Sequence, residues 1–155
     1  MKYRLLNKEE MEIFDQDFKH FLIANGVSNE EWVQLNQNDI EKATQLVELF
    51  SDTIFQKVYE KIQFIEFRSP ESCIVFNCLP DSIELISINR KSATVDLSTP
   101  DSIHKALTKN ANEINYFKSS KKYNTLRELE IHQMIENGCF NSSEAFWNSL
   151  TQLFN

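Results

Sequence analysis

Cysteines five positions apart, Cys73 and Cys78 in the stretch "SCIVFNC", are the first residues here whose type suggests chemistry. Thiolates can hold zinc, form a disulfide or act as nucleophiles. A zinc site asks for Cys-x2–4-Cys on a turn and a second pair of ligands. The chain has only 3 cysteines and supplies no such pair. The stretch is also rich in β-formers, and on a strand side chains alternate faces with period two. An odd separation sends the two thiols to opposite faces, with Cα atoms ~17 Å apart, against the under 7 Å that a disulfide needs. We therefore expect both to be reduced, unmetallated strand residues, because free cysteine packs as a small hydrophobe.

The remaining candidates are scattered. His20, His104 and His132 fall on separate predicted helices without metal-ligand spacing. His132 and Cys139 are seven positions apart across a helix end, a pairing that only proximity in space would turn into a nucleophile and its base. Carboxylates crowd "KEEMEIFDQD", but acid–base work needs a shielded carboxylate with a displaced pKa, and Glu9 and Glu12 lie opposite an apolar stripe. The stretch "NYFKSSKKYN", read as a loop, interleaves Tyr116, Phe117 and Tyr123 with Lys118, Lys121 and Lys122 over positions 116–123. That is the composition of a platform for single-stranded nucleic acid, rings stacking on bases and lysines on phosphates. It is one short patch on an acidic chain, and the bland reading is a solvated loop with its rings tucked inward. A basic surface joining it to Arg90 and Lys91 would favour nucleic acid. Phosphate-cradling loops need glycine, and the chain has 2. HExxH and GxSxG are absent as well.

The elements that would position these residues follow from periodicity. Residues 7–25 read as one amphipathic helix, capped by Asn7 with Glu10 at the box position, and with Met11, Phe14, Phe18, Phe21 and Leu22 on one face. Gly26 suits a left-handed stop. Ser28 starts a short second helix anchored by Trp32 and Leu35, and a long central helix spans about Asp39 to Ile65. Phe14, Phe18, Phe21, Phe50, Ile54 and Val58 are expected to pack together. "RSP" at 68–70 breaks the helical pattern. "CIVFNC" and "IELISIN", separated by "LPDS", read as a hairpin, and "ATVDL" at 93–97 as a third strand. Thr99 and Pro100 open another helix. Two closing helices cover 125–137 and 142–154, separated by Gly138.

Charge narrows the functional classes. The net charge is −7, and residues 1–71 hold 14 acidic and 8 basic side chains against 9 and 8 in the rest. Such a surface repels nucleic acid and anionic lipid and favours basic partners, although acidity also serves solubility. The opening "MKYRLLNKEE" lacks an apolar core of signal-peptide length, and the longest apolar runs, "FLIA" and "CIVF", are far short of the ~20 residues that span a bilayer. A reducing cytoplasm is the expected location.

The stretches "MKYRLLNKEE", "FKHFLIANGVSNEEW" and "ELFSDTIFQKVYEKIQFIEFRSP" resemble an uncharacterised family, a domain of unknown function, of small acidic cytoplasmic proteins from Bacteroidota. The resemblance covers roughly residues 1–90. It implies a bacterial cytoplasmic protein and carries no activity or site residues.

The expected fold is therefore α+β: one mostly helical domain over 1–155, helical over 1–66, with a two- or three-stranded antiparallel sheet within 72–97, and helical again over 99–155. The expected function is non-catalytic binding or regulation through an acidic helical surface, Glu9, Glu12, Glu30 and Glu31, with Trp32 as an aromatic anchor for a basic protein partner. No cofactor, metal, nucleic acid or membrane is expected. The alternatives are an enzyme whose residues converge only in space, and a nucleic-acid-associated protein using 116–123.

Overall fold

The structure, a computed structural model, describes residues 1–155. The chain divides into two compact units, Met1–Val58 and Tyr59–Asn155.

The first unit is helical. Asn7 caps α1 (Lys8–Ile13) by accepting a hydrogen bond from the Glu10 backbone N–H at 2.8 Å, as the capping pattern predicts. The single helix expected over 7–25 is in fact two. Phe14 leaves helical geometry (φ −98°, ψ 22°), and α2 (Asp15–Ala24) continues from it. The two pieces bury different amounts: α1 buries nothing, whereas α2 buries Phe18 and Leu22. Gly26 takes φ +74°, and the Val27 N–H closes back onto the Leu22 carbonyl at 2.8 Å, the glycine stop that the sequence signals. Ser28 caps α3 (Asn29–Asn38), and α4 (Ile40–Lys61) is the long helix, ending sooner than its expected bound at Ile65. Phe18 packs against Trp32 at 5.1 Å and Phe50 at 4.9 Å between ring centroids. Of the six expected core residues, Phe18, Phe50 and Ile54 are buried, and Phe14 and Phe21 are half-buried. Val58 is 41 % exposed and lies outside that core.

The second unit holds a five-stranded antiparallel sheet in the order β4-β3-β2-β1-β5. Its strands are β1 (Phe64–Arg68), β2 (Ser72–Cys78), β3 (Ser82–Arg90), β4 (Ile114–Lys122) and β5 (Phe140–Asn141). The fold is α+β, but the sheet is larger than the two or three strands expected. The β2–β3 hairpin is where the sequence puts it, Cys78 opposite Ile83 across "LPDS". The stretch 93–97 is not a strand; it bends so that Val95 and Leu97 enter the core, and the Leu97 N–H bonds the Pro70 carbonyl at 3.1 Å. The expected 116–123 loop is mostly strand β4, and β1 occupies what was read as the end of the long helix.

Both faces of the sheet are covered. On one, Cys73, Val75, Ile86 and Ile88 pack with Ile103 and Ala106 of α5 (Pro100–Lys109) and Trp147 and Leu150 of α7 (Glu144–Thr151). The other face carries Ile65, Cys78 and Ile83, and there Lys121 of β4 reaches Glu130 of α6 (Arg127–Glu136). No helix is long and apolar enough to cross a membrane.

Candidate functional site

A cavity of about 510 Å³ opens on the α5–α7 face of the second unit. Strand β1 builds its floor. Glu66 and Arg68 are two residues apart and therefore share a face, the one on which Val75 and Cys73 stand opposite them on β2. Helix α5 supplies one wall through Pro100, Ile103, His104 and Leu107, the i, i+3, i+4, i+7 spacing of one helical face. The other wall comes from Asn141 and Ser142 at the end of β5, from Ser143 and Phe146 at the start of α7, and from Ser149 further along it. Ser143 caps α7, accepting from the Phe146 N–H at 3.1 Å. Thr99 and Ser102 close a capping box on α5. Pro100 at the start of α5 and Ser143 and Phe146 at the start of α7 line the cavity.

Glu66 is 4 % exposed, an unusual place for a carboxylate. It is satisfied twice: Arg68 donates through Nε at 2.5 Å and Ser142 through its hydroxyl at 2.9 Å. The Arg68 guanidinium also lies over the rings of Phe140 and Phe146, 5.4 and 5.8 Å from their centroids. Arg68 contacts the Cys73 thiol as well, but its terminal Nη groups donate to no protein oxygen or nitrogen. Every fully buried side-chain nitrogen and oxygen has a partner, so these groups are not fully buried, and Arg68, its side chain 17 % exposed, lines the cavity. An arginine offers five N–H donors; here only the Nε–H is bonded to a carboxylate.

The Cys73 thiol and the Ser142 hydroxyl both lie beside the Glu66–Arg68 pair. Burial, reinforced by the Glu66 carboxylate, pushes the Cys73 thiol up to about 12, so it stays protonated. Ser142 gives its hydroxyl hydrogen to Glu66, a carboxylate already tied to Arg68, and the His104 imidazole bonds neither. The relay of serine, imidazole and carboxylate that activates a hydroxyl is not formed.

The other sequence candidates lie apart from this cavity. Glu9 and Glu12 are exposed on α1, and Glu30 and Glu31 are exposed in the first turn of α3. Trp32 is half-buried, its ring edge-on to Phe18. His20 is exposed on α2. His132 is buried on α6, its Nδ1 2.7 Å from the Tyr59 hydroxyl, and burial raises the half-buried Cys139 thiol. Cys73 and Cys78 stand on opposite faces of a regular β2, and burial pushes the Cys78 thiol up to about 11. No three His, Cys, Asp or Glu side chains converge as metal ligands would.

Strand alternation also splits the lysine–tyrosine stretch. Tyr116, Lys118 and Lys122 face one side, Phe117 and Lys121 the other. Lys118 pairs with Glu84 at 3.6 Å and Lys121 with Glu130 at 2.6 Å. Arg90 stands opposite Ile114, at the far end of β4 from Lys122, and pairs with Glu71.

A family of unknown function (DUF6495) matches residues 1–155. The chain belongs to that family. The match runs through the cavity-bearing unit to the last residue, beyond the 1–90 stretch that carries the resemblance in the sequence. No curated protein and no solved structure matches the chain. Sequence reasoning missed Glu66 and Arg68. The available signal was an acid and a base two apart in "FIEFR", visible only once that stretch is read as a strand.

Proposed function

We propose that this is a non-catalytic binding protein whose recognition element is the cavity between β1, α5 and α7. The observation that carries the reading is the wall chemistry. Ile103, Leu107 and Phe146 give an apolar lining, into which a few polar groups converge from β1, α5, β5 and α7. That combination, at a volume within the ~300–1,000 Å³ range of ligand sites, is what small molecules select. A binding role is also supported by thiols held protonated and by the missing imidazole relay. The three free cysteines support a reducing cytoplasm, and the bacterial origin that the resemblance implies is compatible with it.

The test is a fragment screen by 1H–15N NMR on wild type and on Leu107→Trp, which fills the cavity from one wall. Fragments should move the amides of Ile103, His104, Phe146 and Ser149 in wild type and lose that effect in the variant. A library with no cavity-centred binder, or binders indifferent to the substitution, refutes the reading.

A second reading is supported by the carboxylates of Glu9, Glu12, Glu30 and Glu31. All four are exposed, and none is in an ion pair. A basic protein partner would be steered to such a surface, chiefly through its association rate. Changing the four to Gln should then remove that partner from material recovered from the native cytoplasm. An unchanged partner set with the same salt sensitivity leaves these residues as a solvated face.

A further inference from the structure

We propose that Arg68 is an anion receptor, and that the cavity takes a small organic monocarboxylate with an apolar body. The proposal rests on the cavity being a binding site and names the ligand class. Four observations converge on it. The guanidinium is held in place from behind by Glu66 and at its faces by Phe140 and Phe146. Its two Nη groups are unused by protein oxygen or nitrogen, although the guanidinium also touches the Cys73 thiol, and they are the donors with which an arginine grips a planar carboxylate. The starts of α5 and α7, at Pro100 and Ser143, line the same space, and their backbone dipoles add partial positive charge against the exposed carboxylates of Asp101 and Glu144 in the same turns. Leu107 and Ile103 then offer the apolar wall that the rest of such a ligand needs.

Charge decides between a carboxylate and a phosphate. Glu66 already balances the one arginine, so the site is near neutral before a ligand enters. One added negative charge is met by the Nη groups and the helix ends. A phosphate dianion adds a second, which no further cation neutralises and which the Glu66 carboxylate repels. His104 lines the wall where the ligand's body would lie.

The experiment titrates the full chain with phenylacetate, 4-methylpentanoate and octanoate, each against its own amide, and with inorganic phosphate, by NMR and calorimetry. At least one acid should bind about 10- to 100-fold more tightly than its amide, as expected for a bidentate charged contact. Arg68→Gln should abolish that preference while leaving amide binding in place, and phosphate should bind more weakly than the preferred acid. Glu66→Gln should tighten acid binding by removing the competing charge. If Arg68→Gln does not fold because Glu66 is left unpaired, the neutral pair Glu66→Gln with Arg68→Gln gives the same readout, its fold checked by circular dichroism. Acids and amides that bind equally overturn the anion receptor and leave the cavity reading standing. An acid preference that survives loss of Arg68 also overturns it, as does tighter binding of phosphate. A cavity that binds no acid, no amide and no fragment removes both readings.

Discussion

Arg127 offers a sharp test of how the second unit is held together. It sits at the start of α6, its side chain 15 % exposed, and three backbone carbonyls converge on it. Nη1 donates to the Tyr59 carbonyl at 3.1 Å, and Nη2 donates to the carbonyls of Ile62 and, at 3.0 Å, Cys78. The first two belong to the last turn of α4 and the residues after it, where orphan carbonyls need donors. The third ends β2, so one guanidinium ties a helix end, a strand end and α6. A hydrogen bond to a charged group contributes ~1.5–3 kcal/mol. Water can reach part of this site, so the lower figure applies to each of the three bonds. Arg127→Ala should then cost about 3–5 kcal/mol, and Arg127→Lys about 2 kcal/mol, because one ammonium cannot span the fork. Trp32 and Trp147 are the only tryptophans, so in a Trp32→Phe background the buried Trp147 reports on this unit alone. Urea unfolding followed by its fluorescence gives the free energy, and the melting temperature should fall by about 10 °C. A loss below ~1 kcal/mol for the alanine variant refutes the tie, and equal losses for alanine and lysine refute the geometric argument.

Four further outcomes are expected. With thiols titrating at about 12 and 11 when folded against 9.0 when exposed, their contribution to stability is full below pH 9 and is lost as pH rises toward those values; at pH 8 iodoacetamide should reach Cys139 first and Cys73 and Cys78 only in denaturant, and fast native labelling of Cys73 would contradict its burial. Burial alone would raise the Glu130 carboxyl, but hydrogen bonds from Lys121 and the Asn124 N–H outweigh that and hold it below its usual 4.5. Its stabilisation is therefore present above that value and lost as pH falls through the lower folded one, and Glu130→Gln should flatten the acid limb of a circular-dichroism titration. Phe18→Ala removes a 7 %-exposed ring that packs on three others and should cost ~3–5 kcal/mol, whereas Val58→Ala should cost under ~1 kcal/mol; equal costs in chemical denaturation would mean the core of the first unit is wrongly drawn. The double substitution Glu66→Leu with Arg68→Met should leave stability unchanged or raise it by ~1–4 kcal/mol, and a large loss would show that the pair is needed for folding itself.

How much of this was legible follows from where each signal comes from. The β2–β3 hairpin was readable because Cys73, Val75, Ile86 and Ile88 are buried on alternate positions and a turn cluster separates them. The caps at Asn7, Ser28 and Thr99 were readable because they are local hydrogen bonds written in adjacent residues. Strand β4 was not, because eight of its nine residues are exposed and an edge strand needs no apolar alternation; its lysines are the usual guard of such an edge. Strand β1 was hidden by its position. Ile65 continues the helical spacing of Ile62, so the pattern ran on past the point where the backbone turns extended.

The cavity was illegible for a deeper reason: its chemistry depends on register. Glu66 and Arg68 face inward only because β1 pairs with β2 so that Glu66 meets Val75 and Arg68 meets Cys73. A slip of one residue would present Ile65 and Phe67 to that face instead. The same face of β2 and β3 is otherwise packed with Cys73, Val75, Ile86 and Ile88, so an ion pair here interrupts an apolar layer. A buried pair of this kind generally gains nothing over apolar residues of the same volume. At this site, however, the pair does not fill the core. It lines an open cavity, with Glu66 bonded to both Arg68 and Ser142 and the Nη groups of Arg68 bonded to no protein oxygen or nitrogen. Packing accounts for the neighbours of this pair. On the anion-receptor proposal, the pair itself is accounted for by a negatively charged group arriving from outside.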